Sequence, residues 1–436
     1  MTTIQVNTDK TVKKMKPMHG GGQPPLGGKD LTEFFHYMTE AGIPFSRLHD
    51  VGGVFGGGRF VDIPNVFRDF DADETDPANY DFTFTDHLLK ALVEAGVEPY
   101  YRLGITIENQ AYIKAYHTHP PKDPAKWARI CEHIIRHYTE GWADGFRYNI
   151  RYWEIWNEPE VQNEMMWCGT FEEYYNLYDV AAKHLKACFP HLKIGGYASC
   201  GFYAVAPKMA VDPETNMPGT IPPSEHEQKL MRFFEGFFAY IKEHGSPIDF
   251  FSWHSYADVS RVAVMDKWLH QRLEELGYGG LETHLNEWDP YAKEFGTAHH
   301  SAEVAAMMLA LQHGYADILC IYDMRTNTAP YCPLFDVCTH KPIHGYYALA
   351  AFNRLYRLGD QVETVCDNDR LYAVAASDGA HHALMLSNLT GEKQELMLEG
   401  VDVENARFYV LDQDHLLSWA PHAKVLNPND VYLIEW

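Results

Sequence analysis

The sequence predicts an α/β fold: a (β/α)8 TIM barrel followed by a C-terminal antiparallel β-sandwich domain. Apolar runs of strand length alternate with amphipathic helical stretches from about residue 43 to residue 356, the pattern of parallel strands joined by helical crossovers. Past Leu358 the helical period stops and short alternating runs take over. Two of the early runs end in the same pair, Asn157-Glu158 and Asn286-Glu287. Groups at the ends of parallel barrel strands are where such folds keep their chemistry.

In chain order, residues 1–14 are polar apart from one strand-like piece, 3–6, which is expected to join the later β domain. A first barrel strand is placed at 16–19, and a helical pattern (Leu31, Phe34, Phe35, Met38) runs on to Gly42. Strands are then expected at 43–49, 98–103, 150–156, 192–197, 248–253, 281–286 and 317–322. The helices between and after them are expected at 85–94, 124–138, 171–188, 227–244, 261–276, 302–313 and 345–356. With the strand at 16–19 the count is eight, which closes a barrel; without it seven remain, and an open sheet is the alternative. The long connection 52–80, with its glycine triplet at 56–58 and three phenylalanines (60, 67 and 70), has the length of a packed, functional loop. Runs at 371–375, 382–388, 395–398, 407–411 and 431–436 supply the sandwich. The domains are accordingly a barrel over 15–357 and a sandwich over 358–436, the latter joined by a strand from 1–14. No internal repeat or low-complexity segment interrupts them.

Acidic residues outnumber basic ones 60 to 36, for a net charge of -24. That balance argues against a nucleic-acid backbone or an anionic membrane as partner, because both require clustered Lys and Arg. The eight cysteines form no Cys-x-x-Cys pair, and the N-terminus has no apolar signal segment. Buried, reduced thiols in a cytoplasmic protein are therefore expected, a mature secreted chain being the alternative. Paired histidines (His299-His300, His381-His382) lack a carboxylate at ligand spacing, and the glycines of 52–58 open no helix. Neither a metal nor a nucleotide cofactor is expected.

The chemistry rests on two carboxylates. By the strand count Glu158 ends the fourth barrel strand and Glu287 the seventh, so both open on one face. A pair of carboxyls about 5 to 5.5 Å apart makes a retaining glycosidase, whereas about 6.5 to 9.5 Å leaves room for a water and makes an inverting one. The acid of such a pair needs burial and a negative neighbour to stay protonated, and the nucleophile needs partners that keep it ionised. Arg47, His254 and Tyr256, all near strand ends, are candidates for the second task. Aromatic residues near strand ends (Trp156, Trp167, Trp253, Trp288, Tyr322) are material for sugar stacking.

Together, Arg-x-His at Arg47 and His49, Trp-x-x-x-Asn-Glu-Pro at 153–159, His-x-Tyr at His254 and Tyr256, and Asn-Glu-Trp at 286–288 resemble clan A glycoside hydrolases. Family 39, best known for β-xylosidases, is the nearest in pattern. That resemblance implies a barrel with a β-sandwich, Glu158 as acid/base, Glu287 as nucleophile and Asn157 as the amide for the sugar 2-hydroxyl. It also implies that Arg47, His49, His254 and Tyr256 hold the nucleophile or line the first sugar site; Trp288 and Tyr322, as strand-end aromatics, are further candidates for sugar contact. After the eighth strand the family commonly presents a tryptophan and acidic residues; this chain has Tyr322-Asp323-Met324-Arg325, and Arg102 and Glu108 after the third strand are likewise unmatched. The expected activity is a retaining, exo-acting β-glycosidase on oligosaccharides, first of all a β-xylosidase. An endo-acting glycanase and a non-catalytic carbohydrate-binding barrel stay as alternatives, and a homo-oligomer stays open.

Overall fold

The structure, a computed structural model, describes residues 1–49, 51, 61–105, 118–162, 166–211, 218–290, 294–326, 331–421 and 424–436. It begins with β1 (Thr2–Lys14) and β2 (Gly20–Gly22), then α1 (His36–Ala41), β3 (Phe45–Leu48), α2 (Ile63–Val66), α3 (Thr83–Glu94), β4 (Glu98–Leu103) and α4 (Pro124–Thr139). Next come β5 (Tyr152–Ile155), α5 (Phe171–Cys188), β6 (Lys193–Ser199), the small hairpin β7 (Met209–Val211) and β8 (Pro218–Thr220), α6 (Glu225–His244) and β9 (Phe250–Ser255). The barrel ends with α7 (Val259–Leu276), β10 (Glu282–Trp288), α8 (Ala298–His313), β11 (Ile318–Ile321) and α9 (His344–Tyr356). Strands β2, β3, β4, β5, β6, β9, β10 and β11 form a closed parallel barrel in that order, so β5 and β10 are its fourth and seventh strands.

The first barrel strand is Gly20–Gly22, not residues 16–19. Its neighbours explain both its sequence and why it escapes the hydrophobic pattern. A Cβ at Gly20 would lie 2.7 Å from the Leu319 carbonyl oxygen and 2.8 Å from the Cys320 sulfur, and one at Gly21 would lie 2.2 Å from the Met324 sulfur. Only glycine admits this approach, and a glycine run carries no period-two apolar signal. The first helix is also shorter than the pattern from Asp30 suggested: a 3-10 turn at Glu33–Phe35 precedes α1, which Gly42 ends with φ 63°. Elsewhere the helices have ordinary signals. Thr170 and Ser224 each make a reciprocal capping box, with Glu173 and Glu227 respectively.

The C-terminal strands are β12 (Asp360–Cys366), β13 (Leu371–Ser377), β14 (His382–Asn388), β15 (Gln394–Glu399), β16 (Arg407–Leu411), β17 (Ser418–Ala420), β18 (Val425–Leu426) and β19 (Val431–Glu435). They and β1 form one sheet system in the order β17-β16-β19-β14-β13-β12-β1-β15-β18, antiparallel except where β1 runs parallel to β15. Strand β12, absent from the sequence reading, pairs with β1 from Ile4↔Cys366 to Lys14↔Asp360. It is half polar, which hides it from an apolar template. The central strands bury both faces: Ala373, Ala375, Leu384, Leu386 and Ile434 face the sandwich interior, while Val374, Ala376, Ala383, Met385 and Leu433 join the core shared with the barrel. Helix α8 lies in that shared core, buried nearly all round, and the Ser387 hydroxyl donates to the Ala302 carbonyl at 2.7 Å across it. A helix apolar on every side is one enclosed on every side.

No helix among the described residues is long and apolar enough to cross a membrane. All eight cysteines are free.

Candidate active site

Along the barrel strands every second residue points inward. At one end Phe45, Tyr100, Tyr152, Phe250, Ile318 and Cys320 form an apolar floor. Two residues further along their strands, polar groups begin. Arg47 on β3 is 1% exposed and reaches across the barrel: Nε donates to Glu154 Oε2 at 2.8 Å, Nη1 to Glu287 Oε2 at 3.0 Å and Nη2 to Asn157 Oδ1 at 2.6 Å. Glu154, wholly buried on β5, also accepts from Asn286 Nδ2 at 2.6 Å. Arg47 and Glu154 thus form a buried pair whose remaining hydrogen-bond capacity goes to the two Asn-Glu strand ends. Burial opposes the charge on Arg47, but Glu154 and Glu287 outweigh it and hold the guanidinium protonated.

Glu158 and Glu287 stand above this layer. Glu158 and Trp156 both have left-handed backbones, φ 47° and 73°, an unfavourable conformation for residues with a Cβ that concentrates at functional turns. The turn is held by the Glu158 N–H, which donates to the carbonyl of Ala198 at 3.1 Å. His254 Nδ1 lies 2.7 Å from Glu158 Oε1 and 3.7 Å from Glu287 Oε2. One donor atom from each of Glu158, His254 and Glu287 lies within 4.8 Å of the other two. The Tyr256 hydroxyl donates to Glu287 Oε1 at 2.6 Å, so Glu287 is bound through both oxygens, to Tyr256 and Arg47. Tyr256 is positioned in turn by its own N–H, which donates to the Tyr203 hydroxyl at 2.8 Å.

These contacts decide the charges. Burial alone would raise the Glu158 carboxyl, but the hydrogen bond and charge of His254 bring it below the ordinary value. Burial, then Glu287, pushes the Tyr256 phenol far up, so it remains a donor. His49, almost fully enclosed, is held neutral by burial and by the cations Arg102 and Arg47.

Of the aromatic residues singled out in the sequence, Trp156, Trp167, Trp253 and Trp288 are each no more than 2% exposed. Trp156, Trp167 and Trp253 pack among other rings between barrel and helices. The ring cluster on the Glu287 side is tyrosine: Tyr322, Tyr331 and Tyr256 meet with centroids 5.2 to 6.4 Å apart, and Tyr331 is 39% exposed. Beside it Arg325 lies over the Tyr322 ring and pairs with buried Asp323 at 2.7 Å. Burial raises Asp323 to about 6, against the pull of Arg325. Arg102 is likewise paired, with Asp62 at 2.7 Å. Both arginines in the unmatched stretches therefore carry their own buried counter-ion.

Glu154, Glu160 and Tyr331 were not singled out in the sequence. Glu154 was legible in principle, two residues beyond inward-facing Tyr152. Glu160 and Tyr331 lie in turns, where no period applies. Glu108, Phe60 and the glycines at 56–58 lie outside the described residues. Away from the mouth, Glu132, His184 and Cys188 on α4 and α5 also bring three donor atoms within 4.8 Å. There Glu132 is already engaged by Arg136 at 2.8 Å and His184 at 2.6 Å.

Comparison with known proteins agrees with this geometry. Residues 3–276 match the family Glycosyl hydrolases family 39. A β-xylosidase of Geobacillus stearothermophilus is 31% identical over 159 residues, 34% of this chain and 30% of that protein. One of Caldicellulosiruptor saccharolyticus is 31% identical over 130 residues, 28% and 26% of the two chains. The chain thus spans less than a third of the length of these curated relatives. Among solved structures, a glucosidase from Croceicoccus marinus superposes with a TM-score of 0.78 at 19% identity, covering 100% of this chain and 98% of that one. A family 39 β-xylosidase from Caulobacter crescentus superposes with a TM-score of 0.71 at 19% identity over 99% of both chains. A match that runs across the strand ends carrying both Asn157-Glu158 and His254-x-Tyr256, on a barrel with an attached sandwich, has one meaning: the chain belongs to the glycosyl hydrolases family 39.

Proposed function

We propose that this chain is a retaining, exo-acting β-glycosidase that releases terminal sugars from oligosaccharides, with β-xylosides as its first substrate class. The observation that carries the retaining mechanism is that one oxygen each of Glu158 and Glu287 lies within 4.8 Å of the other, with His254 beside both, which favours the close spacing of a retaining pair over the wide spacing of an inverting one. The names of the curated relatives support the xyloside. The catalytic unit is the barrel, 15–357, and the sandwich, 358–436 with the strand from 1–14, buttresses α8 and α9.

Glu287 is the nucleophile. A carboxylate has about four acceptor directions, and Tyr256 and Arg47 use one on each oxygen, which fixes the plane of the group and leaves a lone pair for the anomeric carbon. Glu158 protonates the departing glycosidic oxygen as the ester on Glu287 forms, then takes a proton from the water that cleaves it. Asn157, anchored by Arg47, addresses the sugar 2-hydroxyl. His49, Trp288 and Tyr322 belong to the sugar site, and Tyr331 extends its rim. Tyr203, just beyond β6, is tied to Tyr256 and fixes that side of the mouth, which supports exo action.

The test is a panel of aryl glycosides (xyloside, arabinoside, galactoside, glucoside, fucoside) read by initial rate. It is run alongside Glu287→Ala with and without azide. The expected result is fastest turnover of the xyloside, its loss in the variant, and return with azide as the inverted glycosyl azide. Sugar binding by calorimetry without product from any glycoside would refute the enzymatic reading, and mixed oligosaccharide products from a polymer would refute exo action.

A further inference from the structure

The reaction asks Glu158 to be an acid first, yet its contact with His254 favours the carboxylate. The chain carries a second carboxyl two residues on. Glu160 is wholly enclosed, on the 3-10 turn Pro159–Val161 that Glu158 caps. Its Oε1 accepts the Cys200 N–H at 2.7 Å, and the Ser199 hydroxyl also faces the carboxyl. Among the described residues Glu160 makes no ion pair. The groups facing it are Glu158 on its own turn, Tyr174 and Tyr175 from α5, Tyr197 from β6, Cys200 just beyond β6, and Lys229 from α6. The phenols and the thiol are kept neutral by burial. Lys229 is the one cation in that group, and its ammonium donates to the Val161 carbonyl at 3.2 Å.

We propose that Glu158 and Glu160 hold a single proton between them, and that Glu160 is the positioning residue that keeps this proton in the site for the acid step. The inference rests on the glycosidase reading of Glu158. Glu158 has His254 at 2.7 Å, whereas Glu160 has no ion pair among the described residues; with the Glu287 carboxylate nearby, two enclosed carboxyls on one turn do not both ionise in the resting site, and the proton belongs to the pair rather than to either residue. In the resting enzyme it sits on Glu160, whose carboxyl burial and the Glu158 charge push up to about 8. When a glycoside is bound, the form with the proton on Glu158 reacts: the proton goes to the leaving oxygen while the Glu287 carboxylate becomes a neutral ester. The loss of one proton and one negative charge together keeps the net charge of the site constant. Water then returns the proton to the pair as the ester is cleaved.

The experiment compares kcat/KM against pH for the wild type and Glu160→Gln, using a phenyl xyloside, whose departure needs an acid, and a dinitrophenyl xyloside, whose departure does not. Gln keeps the Oε1 acceptor for Cys200 and cannot hold the proton. For the phenyl substrate the alkaline limb, near pH 8 in the wild type, should move by roughly one pH unit or more toward acid in the variant; for the dinitrophenyl substrate the limbs should coincide. A purely structural Glu160 would lower both rates alike and leave the limb in place, which overturns the proposal. A second measurement needs no turnover. A carboxyl raised in the folded state contributes stability that is present below its unfolded value and lost as pH rises to its folded one. The melting temperature of the variant relative to wild type should therefore climb between about pH 4.5 and pH 8. A flat difference across that range overturns the shared proton even if no glycoside is cleaved. A climbing difference without turnover would instead fault the glycosidase reading alone.

Discussion

Replacing Glu154 by Gln tests whether the site is organised from beneath. Glu154 is fully buried, accepts Arg47 Nε and Asn286 Nδ2, and is the counter-ion of Arg47 that lies beneath the mouth of the barrel. With Gln there, Arg47 keeps only Glu287 as an ionic partner, and one buried hydrogen bond to a charged acceptor becomes a neutral one or a donor–donor clash with Asn286. Breaking a buried pair from one side costs about 3–5 kcal/mol. The structure puts the value toward the upper end, because neither partner can reach solvent. Equilibrium urea unfolding should register this loss, and kcat should fall as Arg47 is drawn onto Glu287 and away from Asn157. Arg47→Met alone should cost a similar amount, and the double variant less than the sum, with a coupling of roughly 1 kcal/mol or more. Glu154→Gln that unfolds within about 0.5 kcal/mol of wild type and keeps its kcat would refute the reasoning.

Three further perturbations follow from the same geometry. Tyr256→Phe removes a 2.6 Å hydrogen bond to Glu287, worth about 1.5–3 kcal/mol when the acceptor is charged, so kcat/KM on an aryl glycoside should fall about 10- to 150-fold. His254→Asn removes the contact that holds Glu158 below its ordinary value; the Glu158 titration should move up, seen as a shift of the alkaline limb of kcat/KM to higher pH. In the wild type the same depressed carboxyl contributes stability present above its unfolded value and lost as pH falls through its folded one, so the variant should lose less stability than wild type on acidification. Gly400→Ala places a Cβ 1.9 Å from the Val6 carbonyl oxygen at a φ of 77°. It should cost at least about 1–3 kcal/mol, read as an earlier denaturant midpoint with little change in KM.

The legible parts of this molecule are those where local chemistry and global fold ask for the same residues. Amphipathic helices with capping boxes, such as α5 and α6, announce themselves within a few positions. The strand ends Asn157-Glu158 and Asn286-Glu287 did so because an apolar run that stops on a carboxylate is rare for packing reasons. Strand β2 was misplaced because close packing against Leu319 and Cys320 selects glycine, which erases the pattern. Strand β12 was missed because its residues between β1 and β13 need not be apolar. All four tryptophans set aside for sugar are no more than 2% exposed, since a large ring near a strand end is as useful between barrel and helix as in the mouth.

By itself the sequence determined the α/β alternation, the change to β structure near residue 358 and the identity of the two paired carboxylates, because each is encoded within a dozen neighbouring residues. The tertiary structure alone decided that Arg47 and Glu154 meet beneath the site, that Tyr256 and His254 divide Glu287 and Glu158 between them, and that Glu160 is enclosed with no ion pair among the described residues. Those facts depend on segments 31 to 240 residues apart closing on one another. Protonation is set by the resulting burial and charge, which no stretch of sequence carries alone.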